Sequence, residues 1–237
     1  MSVIKAVLKQ LSDILFCSRC RICGDIVEIG SNFCDECESV RKIEHPKCML
    51  CGCSKADCIC KNKKNEYKRI TAVYYYKDSI ARAVSNLKNN DMPFLSVNMA
   101  EEIYLTVQQE YNDICFDYIT YVPLRKLRQL KRGFNQSQLI ADKLSELMGV
   151  ETVKILTKTR YTGVQHHKSA RERRADVFGA YDVSDEYKYK LEDRNILLID
   201  DVKTTGSTLN ECAKMLKIYG CKSVYAATFA LTKKKNK

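Results

Sequence analysis

The distribution of cysteine constrains this chain more than any other feature. Ten of its thirteen cysteines fall between Cys17 and Cys60, in a stretch without helical or strand periodicity. Four close pairs stand out there: Cys20 and Cys23, Cys34 and Cys37, Cys48 and Cys51, and Cys58 and Cys60. A C-x2-C turn lets two thiolates converge on one tetrahedral ion, and two pairs complete a four-thiolate site. No export signal accompanies these cysteines, so they indicate metal binding rather than disulfides.

The spacing of the pairs predicts two structural zinc sites. Ten residues separate the first two pairs and six separate the last two. The predicted ligand sets are Cys20, Cys23, Cys34 and Cys37, and Cys48, Cys51, Cys58 and Cys60. Cys17 and Cys53 are additional thiols that could replace a neighbouring ligand in either set. A single zinc ion, or ligand sets that interleave the four pairs differently, are alternatives. Free or redox-active thiols are the competing interpretation.

Hydrophobic periodicity and composition divide the rest of the chain into segments. Apolar residues at helical spacing predict an amphipathic helix over residues 2–16, in a segment 1–16 that precedes the cysteine-rich module of residues 17–62. A polar linker at 63–69 follows, and residues 231–237 form a basic tail. Between them, over residues 70–230, strand-like and helix-like stretches alternate, including a short strand predicted at 152–156. This alternation predicts an α/β domain with a mostly parallel sheet flanked by helices.

Charge and hydropathy narrow the partners and the location. The 237 residues carry a formal net charge of +11, which favours nucleic acid, a phosphorylated small molecule or an acidic protein. No apolar run approaches the roughly 20 residues of a membrane span. Lysines interrupt the apolar N-terminal stretch, which makes a poor signal peptide. We therefore expect a cytoplasmic protein without a membrane span.

The segment from Asn195 to Leu209 is the most informative about chemistry. An apolar strand, Asn195–Ile199, leads into Asp200 and Asp201, and a hydroxyl-rich turn then opens a helix. Helix N-termini present free N–H groups and a positive dipole, so such a turn can bind a phosphate. Acids beside a phosphate would repel it unless they meet an uncharged sugar diol with Mg²⁺ nearby.

This segment resembles the phosphoribosyl pyrophosphate (PRPP) signature of type I phosphoribosyltransferases. The resemblance implies that fold, with Asp200 and Asp201 on the ribose hydroxyls and Mg²⁺ accompanying PRPP. It also implies that the turn binds the 5′-phosphate through Thr204, Thr205, Gly206, Ser207 and Thr208. Lys203 stands where the family usually has a small or apolar residue.

The preceding chain extends the resemblance. The strand 117–122 is similar to the one leading into the family's pyrophosphate loop, which implies a catalytic role for Arg125 facing the diphosphate. The run Arg125, Lys126, Arg128, Lys131 and Arg132 contains no acid and suits a diphosphate, although a solvated basic face is the competing interpretation. Residues 165–177 occupy the place of the mobile loop, whose closure would exclude water.

The whole combination resembles the ComF family, bacterial proteins linked to natural competence. The resemblance rests on the cysteine-rich start, the stretch Arg132-Gly133-Phe134-Asn135-Gln136-Ser137 and the PRPP loop, and it covers residues 20–229. It implies further diphosphate or mobile-loop residues: Lys88, Arg125, Arg132, Gln165, Ser169 and Arg173. Lys168 departs from an expected apolar residue and Asp176 from an expected Asn.

Three functions follow as hypotheses. The first is a phosphoribosyltransferase that uses PRPP and Mg²⁺. The sequence shows no obvious serine or cysteine nucleophile with a partnering base, and phosphoribosyl transfer needs none because positioning and electrostatic stabilisation carry its chemistry. The second is a non-catalytic competence factor that binds single-stranded DNA and a helicase or other DNA-processing protein. The third is a regulator that senses PRPP without turnover.

Overall fold

The computed structural model describes residues 18–60, 64–89, 92–158 and 180–233. Its helices are α1 (Asp35–Glu38), α2 (Asp78–Asn89), α3 (Leu95–Glu110), α4 (Lys126–Arg132), α5 (Gln136–Met148) and α6 (Ser207–Ile218). Its strands are β1 (Arg69–Tyr75), β2 (Tyr118–Tyr121), β3 (Leu156–Lys158), β4 (Tyr181–Val183), β5 (Asn195–Lys203) and β6 (Ser223–Leu231). The predicted helix at 2–16, Cys17 and the predicted mobile loop lie outside the described residues.

A four-stranded parallel sheet in the order β1-β6-β5-β2 forms the centre of the protein. Every residue of β6 is buried, and β5 is buried through most of its apolar run. Such strands are typical of parallel sheets that helices cover on both faces. The predicted parallel α/β architecture is therefore confirmed.

Alternate residues of β5 supply two separate cores. Leu197 and Ile199 belong to the core formed with α2, α3 and α5, whereas Ile196 and Leu198 belong to the core formed with α6 and β3–β4. Successive side chains of a strand point to opposite faces, so one strand serves both layers. The fold thus has three layers, helix on sheet on helix.

Two parts of the sequence-based secondary structure are wrong. The strand predicted at 152–156 is only an isolated bridge at Thr152 to Ile119; β3 begins at Leu156 and pairs antiparallel with β4. The short helix α4 covers the basic run after Arg125, where no apolar face signalled a helix. Leu127 and Leu130 of this helix are exposed, so burial does not define it.

The cysteine-rich stretch packs onto this domain. Cys20, Cys23 and Cys37 belong to the core of α2 and α3. The N–H of Ile43 donates to the carbonyl of Val73 at 2.8 Å, so the stretch also runs along β1. In the predicted linker, Tyr67 is buried, so that segment packs against the domain as well. Within the described ranges, no helix combines the length and apolar character needed to cross a bilayer.

Candidate functional site

The carboxyl end of β5 places two acidic residues side by side. The sequence suggested that the strand ends at Ile199, but β5 continues to Lys203, with Asp200 opposite Thr228 of β6. Both acids therefore have fixed backbone positions in the sheet. Asp201 is buried and Asp200 is partly buried.

Two helices reach the acid pair from the same side of the sheet. Ser137, in the first turn of α5, donates its hydroxyl to Asp200 Oδ1 at 2.9 Å. Lys88, at the end of α2, forms an ion pair with Asp201. Burial, and then the charge of Asp201, raise the pKa of Asp200, while the Ser137 hydroxyl acts in the opposite direction. Lys88, predicted for the diphosphate, thus contacts the acid pair in this state.

The turn after β5 has the geometry of an anion-binding helix start. Gly206 precedes α6 with φ +83°, a conformation that favours glycine. The Ser207 N–H donates to Thr205 Oγ1 at 3.3 Å, and the hydroxyls of these two residues lie 3.0 Å apart. Thr204, Thr205 and Ser207 are exposed, so their side chains are accessible to a ligand at the start of α6. The N-terminus of a helix favours a bound anion.

Lys203, the departure from the family pattern, is enclosed beneath the turn. Its side chain is buried, and its Cε would lie 3.1 Å from a Cβ placed on Gly206. It lines a cleft together with Cys51, Cys53 and Tyr67. This position explains how a lysine is accommodated at the end of β5.

Basic residues gather near the other side of the site. Arg125 is exposed immediately before α4, and Arg132 ends that helix. Lys158 at the end of β3 donates to Tyr181 Oη at 2.9 Å. Burial lowers the pKa of Lys158, and the nearby charges of Arg125 and Arg128 lower it further. The strands β3 and β4 flank residues 159–179, so Gln165, Ser169 and Arg173 lie outside the described residues.

Each predicted zinc ligand set comes together in space. The four sulfur atoms of each set lie within 4.8 Å of one another. The Sγ–Sγ distance is 3.7 Å between Cys23 and Cys34, and 3.6 Å between Cys48 and Cys60. Zn–S bonds of about 2.3 Å in a tetrahedron place sulfur atoms about 3.8 Å apart. The two clusters therefore match the size of a tetrathiolate zinc site, without interleaving.

The clusters differ in their surroundings. In the first, Cys20, Cys23 and Cys37 are buried; in the second, all four ligands are partly exposed. The side chain of Asn86 on α2 donates to the carbonyl of Cys23 at 2.7 Å, which joins the first cluster to the helix that carries Lys88. Cys53 is buried beside the second cluster.

Three contacts could not be predicted from the sequence. They are the hydrogen bond from Ser137 to Asp200, the hydrogen bond from Lys158 to Tyr181, and the packing of Tyr67 close to Gly206. Asp200 and Ser137 are 63 positions apart, and local patterns do not report such pairs. The Asn135 side chain accepts from the Ser137 N–H at 3.1 Å and caps α5, a local signal that indicates where this helix begins.

Comparisons with known proteins agree with this architecture. A family model described as "Phosphoribosyl transferase domain" matches residues 130–237. "Competence protein F" of Haemophilus influenzae is 27% identical over 223 residues, covering 87% of this chain and 93% of that protein. "Competence protein ComFC" of Bacillus subtilis is 26% identical, covering 84% and 82% of the two chains.

The chain is similar to ComF proteins over more than four fifths of its length. A further relative is the "DNA utilization protein YhgH" of Escherichia coli O157:H7, at 28% identity over 86% of this chain and 93% of that one. The glutamine PRPP amidotransferase of B. subtilis superposes with a TM-score of 0.39 at 20% identity, over 56% of this chain and 26% of that chain. The match to the phosphoribosyl transferase domain and the order of the parallel strands support the type I phosphoribosyltransferase fold.

Proposed function

We propose that this protein binds PRPP with Mg²⁺ at the carboxyl end of β5 and transfers ribose 5-phosphate to an acceptor. One observation carries the proposal: Asp200 and Asp201 stand at the same strand end as a glycine turn that opens α6. A diol and a phosphate are joined within one ribose 5-phosphate, so this pairing of groups suits that ligand. A scaffold alone has no need for two carboxylates beside an anion-binding turn.

The donor would be held at both ends. The carboxylates of Asp200 and Asp201 accept hydrogen bonds from the ribose hydroxyls, and the first N–H groups of α6 donate to the 5′-phosphate. Ser137 keeps Asp200 in place, and Lys88 supplies a positive charge against Asp201. The same carboxylate oxygens are suitable ligands for Mg²⁺, which neutralises charge on the diphosphate.

The reaction breaks the bond between the anomeric carbon and a diphosphate oxygen. The acceptor nucleophile forms the new bond at that carbon, and the diphosphate leaves with the bonding electron pair. Arg125 and Arg132, with Lys158 nearby, offer positive charge for the leaving group. Such preorganised charge acts where negative charge develops in the transition state.

Calorimetric titration of the zinc-loaded protein with PRPP tests the donor site. We expect binding that requires Mg²⁺ and disappears in the Asp200→Ala/Asp201→Ala variant. A matched control is Asp185→Ala/Glu186→Ala, which removes two exposed acids near the amino end of β5 and should bind PRPP normally. Failure of the wild-type protein to bind PRPP would overturn the proposal.

A second candidate function is binding of single-stranded DNA, with or without a helicase or DNA-processing partner. The names of the relatives, which refer to competence and DNA utilization, favour it. A cleft lined by Lys64, Lys68, Lys217 and Lys222 near the start of β6 offers positive charge away from the acid pair. A PRPP-sensing regulator is the third possibility and differs from the first only in the absence of turnover.

The salt dependence of oligonucleotide affinity distinguishes DNA binding from PRPP binding at the donor site. Affinity for a single-stranded oligonucleotide should fall steeply between 50 and 200 mM salt, by roughly 300-fold where six phosphates are contacted. The affinity should persist in the Asp200→Ala/Asp201→Ala variant and decline when Lys68 and Lys222 are replaced by Met. A flat response to salt would count against this function.

A further inference from the structure

The phosphate turn and the second cysteine cluster share a boundary. Lys203 and Thr205, which begin the turn, line one cleft with Cys51, Cys53 and Cys60. Lys203 is only 6% exposed, so its side chain is enclosed there. The proposed donor site and the candidate zinc site therefore border the same cleft.

Tyr67 provides a second link between them. Its hydroxyl donates to the carbonyl of Leu50, inside the Cys48–Cys51 turn, at 3.4 Å. The same hydroxyl would lie 3.5 Å from a Cβ on Gly206, and Lys203 Cε would lie 3.1 Å from it. The backbone of the phosphate turn thus lies against Tyr67 and Lys203, and both side chains line the cleft beside the second cluster.

The charge of the second cysteine cluster changes when it binds a metal ion, and this change should affect Lys203 beside it. Four thiolates around one Zn²⁺ carry a net charge of about −2, and removal of the metal lets these thiolates bind protons and changes that charge. Attraction between a tetrathiolate and the buried Lys203 ammonium is only weakly screened by water. The position of Lys203 beneath Gly206 should therefore differ between the metal-loaded and metal-free cluster.

We propose that zinc at the second cysteine cluster holds the phosphate turn in its binding conformation through Lys203 and Tyr67, so that metal occupancy there regulates affinity for the donor phosphate. This inference rests on the proposed function, because it concerns the same phosphate site. Coupling between two binding sites is reciprocal. A bound phosphate ester must then raise the affinity of this cluster for zinc. We expect the higher affinity to appear as slower release of zinc to a chelator.

The test measures both directions of the coupling in the zinc-loaded protein. Ribose 5-phosphate and PRPP with Mg²⁺ are titrated by calorimetry, and zinc transfer to a coloured chelator is followed with and without each ligand. We expect two release phases, one of which slows at least about fivefold under saturating ligand. The other phase, from the first cluster, should not change.

Substitutions identify the residues that transmit the effect. Lys203→Met should weaken ribose 5-phosphate binding about tenfold and accelerate one zinc phase, and Lys203→Arg should restore both. Lys154→Met removes the same charge from an exposed position and should change neither quantity. Arg82, whose Nη2 lies 4.0 Å from Cys23 Sγ, marks the first cluster, so Arg82→Met should accelerate only the other phase.

The outcomes separate the two levels of the proposal. Ligand binding by the wild-type protein with two ligand-insensitive zinc phases would overturn this inference and leave the proposed function standing. Absence of any ligand binding would overturn the proposed function and the inference with it. If Lys203→Met does not fold, Tyr67→Phe provides a second variant, because it removes only the hydroxyl group. Unchanged phosphate affinity and unchanged zinc release in Tyr67→Phe would contradict the coupling.

Discussion

Asp200 shows how the surroundings of one residue set its chemistry. Burial first, and then the charge of Asp201, raise its pKa to about 8. An unfolded aspartate ionises near 4, so between these values the folded protein holds a proton that the unfolded chain has lost. Stability therefore falls as the pH rises from about 4 to 8, since unfolding releases that proton. A ligand that donates hydrogen bonds to the carboxylate offsets this cost.

Replacing this carboxyl should stabilise the empty protein. We expect Asp200→Asn to raise the melting temperature by a few degrees at pH 8.5 and by much less at pH 5, while PRPP binding is lost. Thermal unfolding at both values measures the difference. The exposed Asp185→Asn is the control, and an equal shift at both pH values would contradict the assignment.

Ser137 should act through Asp200. Ser137→Ala removes a hydroxyl donor to a carboxylate, a type of hydrogen bond that contributes about 1.5–3 kcal/mol. We expect PRPP affinity to fall roughly tenfold or more, and the pH at which binding is half-maximal to move upward because the pKa of Asp200 rises. Calorimetry across pH tests this. Ser145→Ala on the same helix should leave both quantities unchanged.

At the scale of elements, the path from β5 through the turn to α6 determines the site. The sequence predicted this strand–turn–helix because an apolar run, two acids and a glycine turn follow one another without interruption. It placed the end of the strand too early because Asp200 and Asp201 are polar, whereas pairing with β6 carries the strand to Lys203. Helix α4 was missed because its leucines are exposed and its remaining residues polar.

The turn itself can be tested with two glycines of similar conformation. Gly206 and Gly149 have φ of +83° and +67°, so an alanine at either costs roughly 1 kcal/mol in backbone strain. Only at Gly206 would the new Cβ meet other atoms, since nothing lies within 4 Å at Gly149. Gly206→Ala should therefore weaken phosphate binding at least tenfold, measured by calorimetry with ribose 5-phosphate.

Gly149→Ala serves as the control for this substitution. It should reduce stability by a similar strain cost and leave phosphate binding unchanged. Equal affinity losses in the two variants would show that strain alone, rather than contact with Lys203 and Tyr67, explains the effect.

At the scale of the whole molecule, the cysteine-rich stretch and the sheet form one structure. Residue pairs such as Asn86 with Cys23, and Tyr67 with Leu50, join distant parts of the chain. The sequence predicted which cysteines group together, because their spacing is local. It did not predict where the two groups pack on the domain, because that depends on contacts across the fold.

Zinc content follows from the two clusters. We expect two zinc ions per chain by elemental analysis, and a fall of more than about 10 °C in melting temperature after chelation, because metal binding supplies folding free energy. Cys115, which is exposed, provides a control: Cys115→Ser should retain both ions. A single ion per chain would contradict the two-site assignment.

The contact between the cysteine-rich stretch and β1 has a consequence for solubility. β1 is the last strand on its side of the sheet, and the N–H of Ile43 and the carbonyl of Met49 bond to its outer backbone groups. Those groups would otherwise be free to pair with another chain. A metal that keeps this stretch folded would therefore also protect the edge of the sheet. We expect a chain stripped of zinc to associate with other chains through the outer edge of β1.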